Sequence, residues 1–204
     1  HDIEVYGSDE IKARYLPDLV PMTRIASYCL TEPGSGSDAA ALRTRAVRDG
    51  DHYVVNGSKA FISGAGVNEV YVTMVRTGED GPRGVSCLVI DKDTPGVSFG
   101  ANEHKMGWRN QPTAVVNFDN ARVPVANRLG AEGEGFKIAM SGLDGGRLNI
   151  GACSLGGAQR ALDDAIAYTR THNQCGKAIV DFQATQFKLA DMLAELQAAR
   201  TLLY

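Results

Sequence analysis

Several features that would assign a function outright are missing from these 204 residues. No apolar run approaches the roughly 20 residues needed to cross a bilayer, and no secretory apolar segment opens the chain. Charge of one sign is scarce: a formal net charge of -3 gives no electrostatic reason to bind nucleic acid or an anionic membrane. The four cysteines, Cys29, Cys87, Cys153 and Cys175, form no C-x-x-C pair, and His1, His52, His104 and His172 are equally scattered. That spacing excludes a disulfide frame and a zinc site as organising features and fits reduced thiols in a reducing compartment. An initiator Met is missing too, and the last residues, Leu202-Leu203-Tyr204, stand inside an apolar helical pattern with no Gly or Pro stop. The expectation is a piece of a longer protein.

What is present is a soluble composition, 44% apolar and 22% charged, in three textures. Residues 8–20 open on Ser8 as an N-cap with acidic residues behind it, and Pro17 predicts a break or kink. Residues 25–125 hold short β-rich runs: IASYCL, HYVVNG, VYVTMVRT, VSCLVI and TAVVNFDNARV. Asn56-Gly57, Asp80-Gly81-Pro82 and Thr94-Pro95-Gly96 read as the turns between them. This predicts an antiparallel sandwich or barrel. Residues 134–172 contain no Pro and predict one long helix despite glycines at 142, 145, 146, 151, 156 and 157. Each glycine costs up to about 1 kcal/mol of helix propensity, so close contact with another helix or a ligand is the expected reason for them. Phe182–Tyr204 predicts a second helix with Leu189, Met192, Leu193, Leu196, Ala199 and Leu203 on one stripe, antiparallel to the first as in a four-helix bundle. The fold class is therefore α+β. Its parts are the end of a helical domain (1–24), a β-domain (25–131) and the first two helices of a C-terminal helical domain (132–204).

Gly34-Ser35-Gly36-Ser37-Asp38-Ala39 fits the dinucleotide pattern G-x-G-x-x-A. That mechanism requires the turn to open a helix aimed at a pyrophosphate. The following LRTRAVRDGDHYVVNG alternates polar and apolar residues into an Asp-Gly turn, so it predicts a hairpin and excludes a nicotinamide site. The glycines still let backbone approach a ligand, with Ser35 and Ser37 as hydroxyl donors.

The string Tyr28-Cys29-Leu30-Thr31-Glu32-Pro33-Gly34-Ser35-Gly36-Ser37-Asp38 closely resembles the signature segment of acyl-CoA dehydrogenases. Further matches follow in that family's order: NGSKAFISGAG, Lys105-Met106-Gly107-Trp108, VPVANRLG, GEGF, GLDGGR and FQATQFKLADM. Together they cover essentially the whole chain, and within the family the short branched-chain type, that of the isobutyryl-CoA dehydrogenases, is the most similar.

The resemblance implies FAD lying extended between the β-domain and the C-terminal helices. At matching positions Tyr28, Leu30 and Thr31 line the flavin, with Thr31 hydrogen-bonding its ring. Gly36 and Ser37 meet the pyrophosphate and the CoA moiety, Phe61 stacks on the ring, Ser63 sits near its reactive edge, and Ile62 between them is a further cofactor-binding position. Phe182 and Gln183 match a further flavin-contacting pair. Asp144, Gly145, Gly146 and Arg147 match the segment that contacts the acyl-CoA, although Asp144 and Arg147, three apart, also suit a helical ion pair. The implied chemistry is α,β-dehydrogenation: a carboxylate takes the α-proton and hydride leaves the β-carbon for flavin N5. Electrons then pass to an electron-transfer flavoprotein, in a homotetramer of the bacterial cytoplasm or mitochondrial matrix.

Two positions depart from the family. Its base lies downstream of Tyr204 in most members and at the position of Gly146 in a minority, so no catalytic base is expected in this chain, and the fragment alone should be inactive. The family's Arg-Lys-Gln-Phe-Gly loop is here His172-Asn173-Gln174-Cys175-Gly176, which replaces by His172 an Arg that reaches the FAD of a neighbouring subunit and predicts weaker or differently wired pyrophosphate binding. A non-catalytic FAD- or CoA-binding or subunit-association module, and an acyl-CoA oxidase, stay open as alternatives.

Overall fold

A computed structural model describes all residues, 1–204, and divides them into two compact units, His1–Gly142 and Leu143–Tyr204. The first unit opens with helices α1 (Asp2–Tyr6) and α2 (Asp9–Leu19), and Ser8 caps α2 by accepting from the Ile11 amide. Pro17 does not break α2 as expected: it lies in the last turn, and the helix ends two residues later at Leu19. Arg14, Arg24 and Tyr15 all bond the Asp91 carboxylate, which ties α2 to the sheet.

The sheet strands are β1 (Ala26–Cys29), β2 (Arg45–Asp49), β3 (His52–Ser63), β4 (Val70–Arg76), β5 (Val85–Asp91), β6 (Val97–Phe99), β7 (Thr113–Pro124) and β8 (Arg128–Leu129). Their order is β6-β7-β3-β2-β4-β5-β8, with β1 against β4. Most pairings are antiparallel, as expected, but β1–β4 and β2–β4 are parallel. The β2–β3 hairpin turns at Gly50, φ +62, where a helix would have supported a nicotinamide site. Asn56-Gly57 is no turn at all. It lies inside β3, where the pairing with β7 shifts register with the extra residue on the β7 side, and Gly57, φ +142, lets β3 run on past Thr44 at close range. Tyr53, Val55, Ile62, Tyr71, Leu88, Ile90, Val116 and Phe118 are among the residues that form the core on one sheet face. All of β4 is buried, which is why its sequence, VYVTMVR, shows no apolar–polar alternation.

Helix α3 (Gly135–Thr171) begins in the first unit and supplies nearly half of the second. A small hairpin, β9 (Asn173–Gln174) and β10 (Lys177–Ala178), leads to α4 (Gln183–Leu203). Within the second unit Leu203 meets Gly151 and Arg200 donates to Gln159, so the helices run antiparallel, with Leu162 and Leu196 buried. The glycines of α3 divide in two. Gly142 faces the Asp2 carboxylate and Gly151 faces Leu203, whereas a Cβ at Gly145, Gly146, Gly156 or Gly157 would meet nothing in this chain.

Candidate functional site

The site of the first unit is built at a fork in the sheet. β1 pairs with β4 from Val70 to Thr73, and β2 takes over only at Arg76. Where the partner changes, backbone groups lose their ladder, and two charged side chains satisfy them. Lys59, fully buried, donates from Nζ to the Leu30 carbonyl at 3.1 Å and to Glu32 Oε1 at 2.8 Å. Glu32 accepts in turn from the amides of Arg43 at 2.6 Å and Thr44 at 2.9 Å. Burial pushes the Glu32 carboxyl up, but the Lys59 ammonium and these donors outweigh it and hold it below its ordinary value. Neither residue was assigned a role from sequence. The signal was there: Lys59 continues the inward, odd-numbered positions of Tyr53 and Val55.

Beside this pair the structure brings together three of the expected residues. The Ala60 amide bonds the Thr31 carbonyl at 2.8 Å, which sets Phe61 next to Thr31. Ser63 follows two residues on, its carbonyl accepting from Ser27 Oγ at 2.7 Å. Phe61 is 65% exposed and adopts φ +58. A large side chain in left-handed backbone costs about 1–2 kcal/mol, and burial returns little of it here. It sits at a second register shift of β3, between Lys59 and Ile62, that aims the ring outward. Thr31 is half-buried and Ser63 exposed. Tyr28 lies half-buried, its hydroxyl donating to the Ala139 carbonyl at 2.9 Å, and burial raises its pKa, so it stays a donor. The side chains of Leu30 and Ile62 do not join this surface: both are buried, Ile62 in the core cluster.

Gly36 and Ser37 are exposed on the loop after Thr31, and a Cβ at Gly34 or Gly36 would meet nothing within the chain. Ser35 is not a free donor as expected: it is buried, and its hydroxyl is spent on the Asp38 carbonyl at 2.7 Å. On the other flank Ser63 pairs with Thr113 of β7, and Lys105 Nζ donates to Thr113 Oγ1 at 2.9 Å. Lys105, Arg109, His104 and Thr113 line an open cavity of about 690 Å³ there. Sequence reading used this segment only as a matching block.

The second unit holds the remaining expected residues in two groups. Asp144 and Arg147 form an exposed pair at 3.7 Å, of little energetic weight, beside Gly145 and Gly146. His172, Phe182 and Gln183 lie where the hairpin joins α3 to α4, about 37 Å further along the helix at 1.5 Å per residue. His172 stacks on Tyr168 with centroids 5.0 Å apart, and the Gln174 amide meets its Nε2 at 3.2 Å. Lys177 covers the Phe182 ring at 4.2 Å. Cys175 and Gly176 form the hairpin tip, both at positive φ.

Comparison with known proteins covers both units. The family model described as the acyl-CoA dehydrogenase middle domain matches residues 27–121, and that of the C-terminal domain matches residues 133–204. Mitochondrial isobutyryl-CoA dehydrogenase of Dictyostelium discoideum is 57% identical over 98% of this chain and 49% of its own length. Its Bos taurus counterpart is 55% identical over 98% of this chain and 48% of its own. The chain thus spans about half the length of the curated relatives it matches. The solved structure of butyryl-CoA dehydrogenase from Megasphaera elsdenii superposes with a TM-score of 0.97 at 40% identity, covering 100% of this chain and 54% of that one. With the β-domain and the helices each matched by a model of one family, and relatives aligned over 98% of this chain, the chain belongs to the acyl-CoA dehydrogenase family.

Proposed function

We propose that residues 1–204 are the flavin- and acyl-CoA-binding part of an FAD-dependent acyl-CoA dehydrogenase acting on a short, branched thioester such as isobutyryl-CoA. The observation that carries this reading is Phe61, an aromatic ring held in solvent by left-handed backbone beside the hydroxyls of Thr31 and Ser63. Strain that burial does not repay is found where a ligand does.

The residues fit the cofactor. Phe61 offers a flat face for the isoalloxazine, and Thr31 and Ser63 can donate to ring heteroatoms. Nothing in the chain fills the space over Gly34 and Gly36, which leaves their backbone open to the diphosphate, with Ser37 beside it. Leu30 and Ile62 support that surface from within, and any contact they make is through their main chain. Bound FAD supplies the hydride acceptor. The residues here bind, orient and exclude water, while the α-proton goes to a carboxylate borne elsewhere in the protein, since Gly146 has none. Asp144–Arg147 and the open glycines receive the acyl-CoA. His172, Phe182 and Gln183, some 37 Å along α3, then serve a different FAD, that of a neighbouring subunit in a tetramer. In this reading residues 1–24 end an N-terminal helical domain and the β-domain runs over 25–131. The electron acceptor is an electron-transfer flavoprotein, and the compartment is bacterial cytoplasm or mitochondrial matrix, a reading that fits relatives of mitochondrial and of bacterial origin.

The test is the visible spectrum of the full-length protein. It should be yellow as purified and bleach anaerobically on adding isobutyryl-CoA; a folded, colourless protein that takes up no FAD would refute the reading.

A further inference from the structure

We propose that Glu32 and Lys59 are positioning residues: this buried pair sets Thr31 and Phe61 in the geometry that receives the flavin, and so governs cofactor affinity without touching the cofactor. The inference rests on the flavin reading above and deepens it.

The pair is wired to both sides of the site. Glu32 follows Thr31 directly, and Lys59 precedes Phe61 by two residues. Three successive residues, 30, 31 and 32, are each tied to the β3 stretch 59–60: Leu30 through its carbonyl to Lys59 Nζ, Thr31 through its carbonyl to the Ala60 amide, and Glu32 through its carboxylate to Lys59. The far side of the carboxylate is anchored on the amides of Arg43 and Thr44, and Thr44 accepts in turn from the Arg76 amide at 2.7 Å. Phe61 cannot relax out of left-handed backbone while residues on both sides of it are pinned, Ala60 by Thr31 and Ser63 by Ser27. A buried ion pair is weak as a source of stability, because desolvation consumes most of its attraction. Its value is directional, since an ammonium and a carboxylate can satisfy one carbonyl and two amides that the fork leaves without a ladder partner. A hydrophobic pair of equal volume would leave the Leu30 carbonyl and the Thr44 amide buried and unpaired.

The test uses the full-length enzyme and compares wild type with Glu32→Gln and with Arg76→Lys, a variant of another buried clamp whose side-chain hydrogen bonds all go to the carbonyls of Ala40, Leu42, Glu79 and Gly81. Gln at position 32 keeps the shape but turns one acceptor oxygen into a donor facing an amide. The expected result is at least tenfold weaker FAD binding, a displaced flavin absorption band, and at least tenfold faster hydrogen exchange at the Ala60 amide in the apoprotein. Arg76→Lys should lower the unfolding midpoint with flavin affinity and Ala60 exchange near wild type. If Glu32→Gln does not fold, Lys59→Arg, which keeps the charge but replaces a compact ammonium by a bulkier planar fork, is held to the same criteria. Unchanged FAD affinity and Ala60 exchange in a yellow enzyme would overturn the proposal alone, as would an equal loss of flavin in Arg76→Lys. A colourless wild type would remove the flavin reading and this one with it.

Discussion

Replacing Gly57 by alanine should destabilise the β-domain several times more than the same replacement at Gly50, and the structure gives the reason. Both glycines have positive φ, +62 at Gly50 and +142 at Gly57, so a Cβ is strained at either. At Gly50 the added carbon meets open space. The cost there is about 1–2 kcal/mol of backbone strain, offset by about 0.4–1 kcal/mol from a stiffer unfolded chain, for a net of roughly 0.5–1 kcal/mol. At Gly57 the carbon would lie 2.6 Å from Thr44 Oγ1 and 2.7 Å from its Cα. Rotating the hydroxyl away relieves the first clash but not the second, which is with main chain. Overpacking adds about 1–3 kcal/mol, bringing the net to roughly 2–4 kcal/mol. At about 2–4 °C per kcal/mol for a chain of this size, Gly57→Ala should lower the melting temperature by roughly 5–15 °C and Gly50→Ala by no more than about 4 °C. Thermal unfolding followed by circular dichroism measures both. Equal shifts for the two variants would show that β3 does not pass this close to Thr44.

Phe61→Gly should leave stability within about 1 kcal/mol of wild type, because relief of left-handed strain offsets the entropy of glycine and little burial is lost. FAD affinity, read by fluorescence titration of the full-length apoprotein, should fall by up to roughly tenfold, the value of one lost stacking partner. A large destabilisation instead would mark Phe61 as core. Arg76→Lys should cost about 2–4 kcal/mol in urea denaturation, since a lysine cannot reach the carbonyls of Ala40, Leu42, Glu79 and Gly81 together. A cost under about 0.5 kcal/mol would show that these loops hold themselves. Alkali should weaken the fold. Burial pushes Tyr15 and Tyr71 up to about 12 from 10.0, and Cys29 up to about 12 from 9.0. Raised folded values mean that this stability is complete below pH 9 and is lost as pH rises towards 12, where the unfolded chain has released protons the native one retains. Urea midpoints that do not change across that window would contradict the burial of these groups.

Much of the fold was legible in local chemistry. The β-rich runs became strands, the Pro-free stretch became α3, Ser8 became a cap, and the alternation after Ala39 excluded a nicotinamide-binding helix, because each rests on residues close together in the chain. Pro17 and Asn56-Gly57 misled for a related reason. Their conformational preferences are real, but Pro17 falls in the last turn of α2 without interrupting it, and β3 uses the positive φ of Gly57 to pass close to Thr44 with no turn. The parallel contacts of β1 and β2 with β4 could not be read locally, since the residues that pair are more than thirty positions apart. Family resemblance pointed to Thr31, Phe61 and Ser63, yet only the tertiary structure put them side by side, turned Leu30, Ser35 and Ile62 inward, and showed Phe61 strained and exposed. It also supplied what composition hides: a buried Lys59 and Glu32 standing in for a missing ladder. Hydrogen bonding at a fork in a sheet depends on which strands meet there, and that is decided by the whole fold.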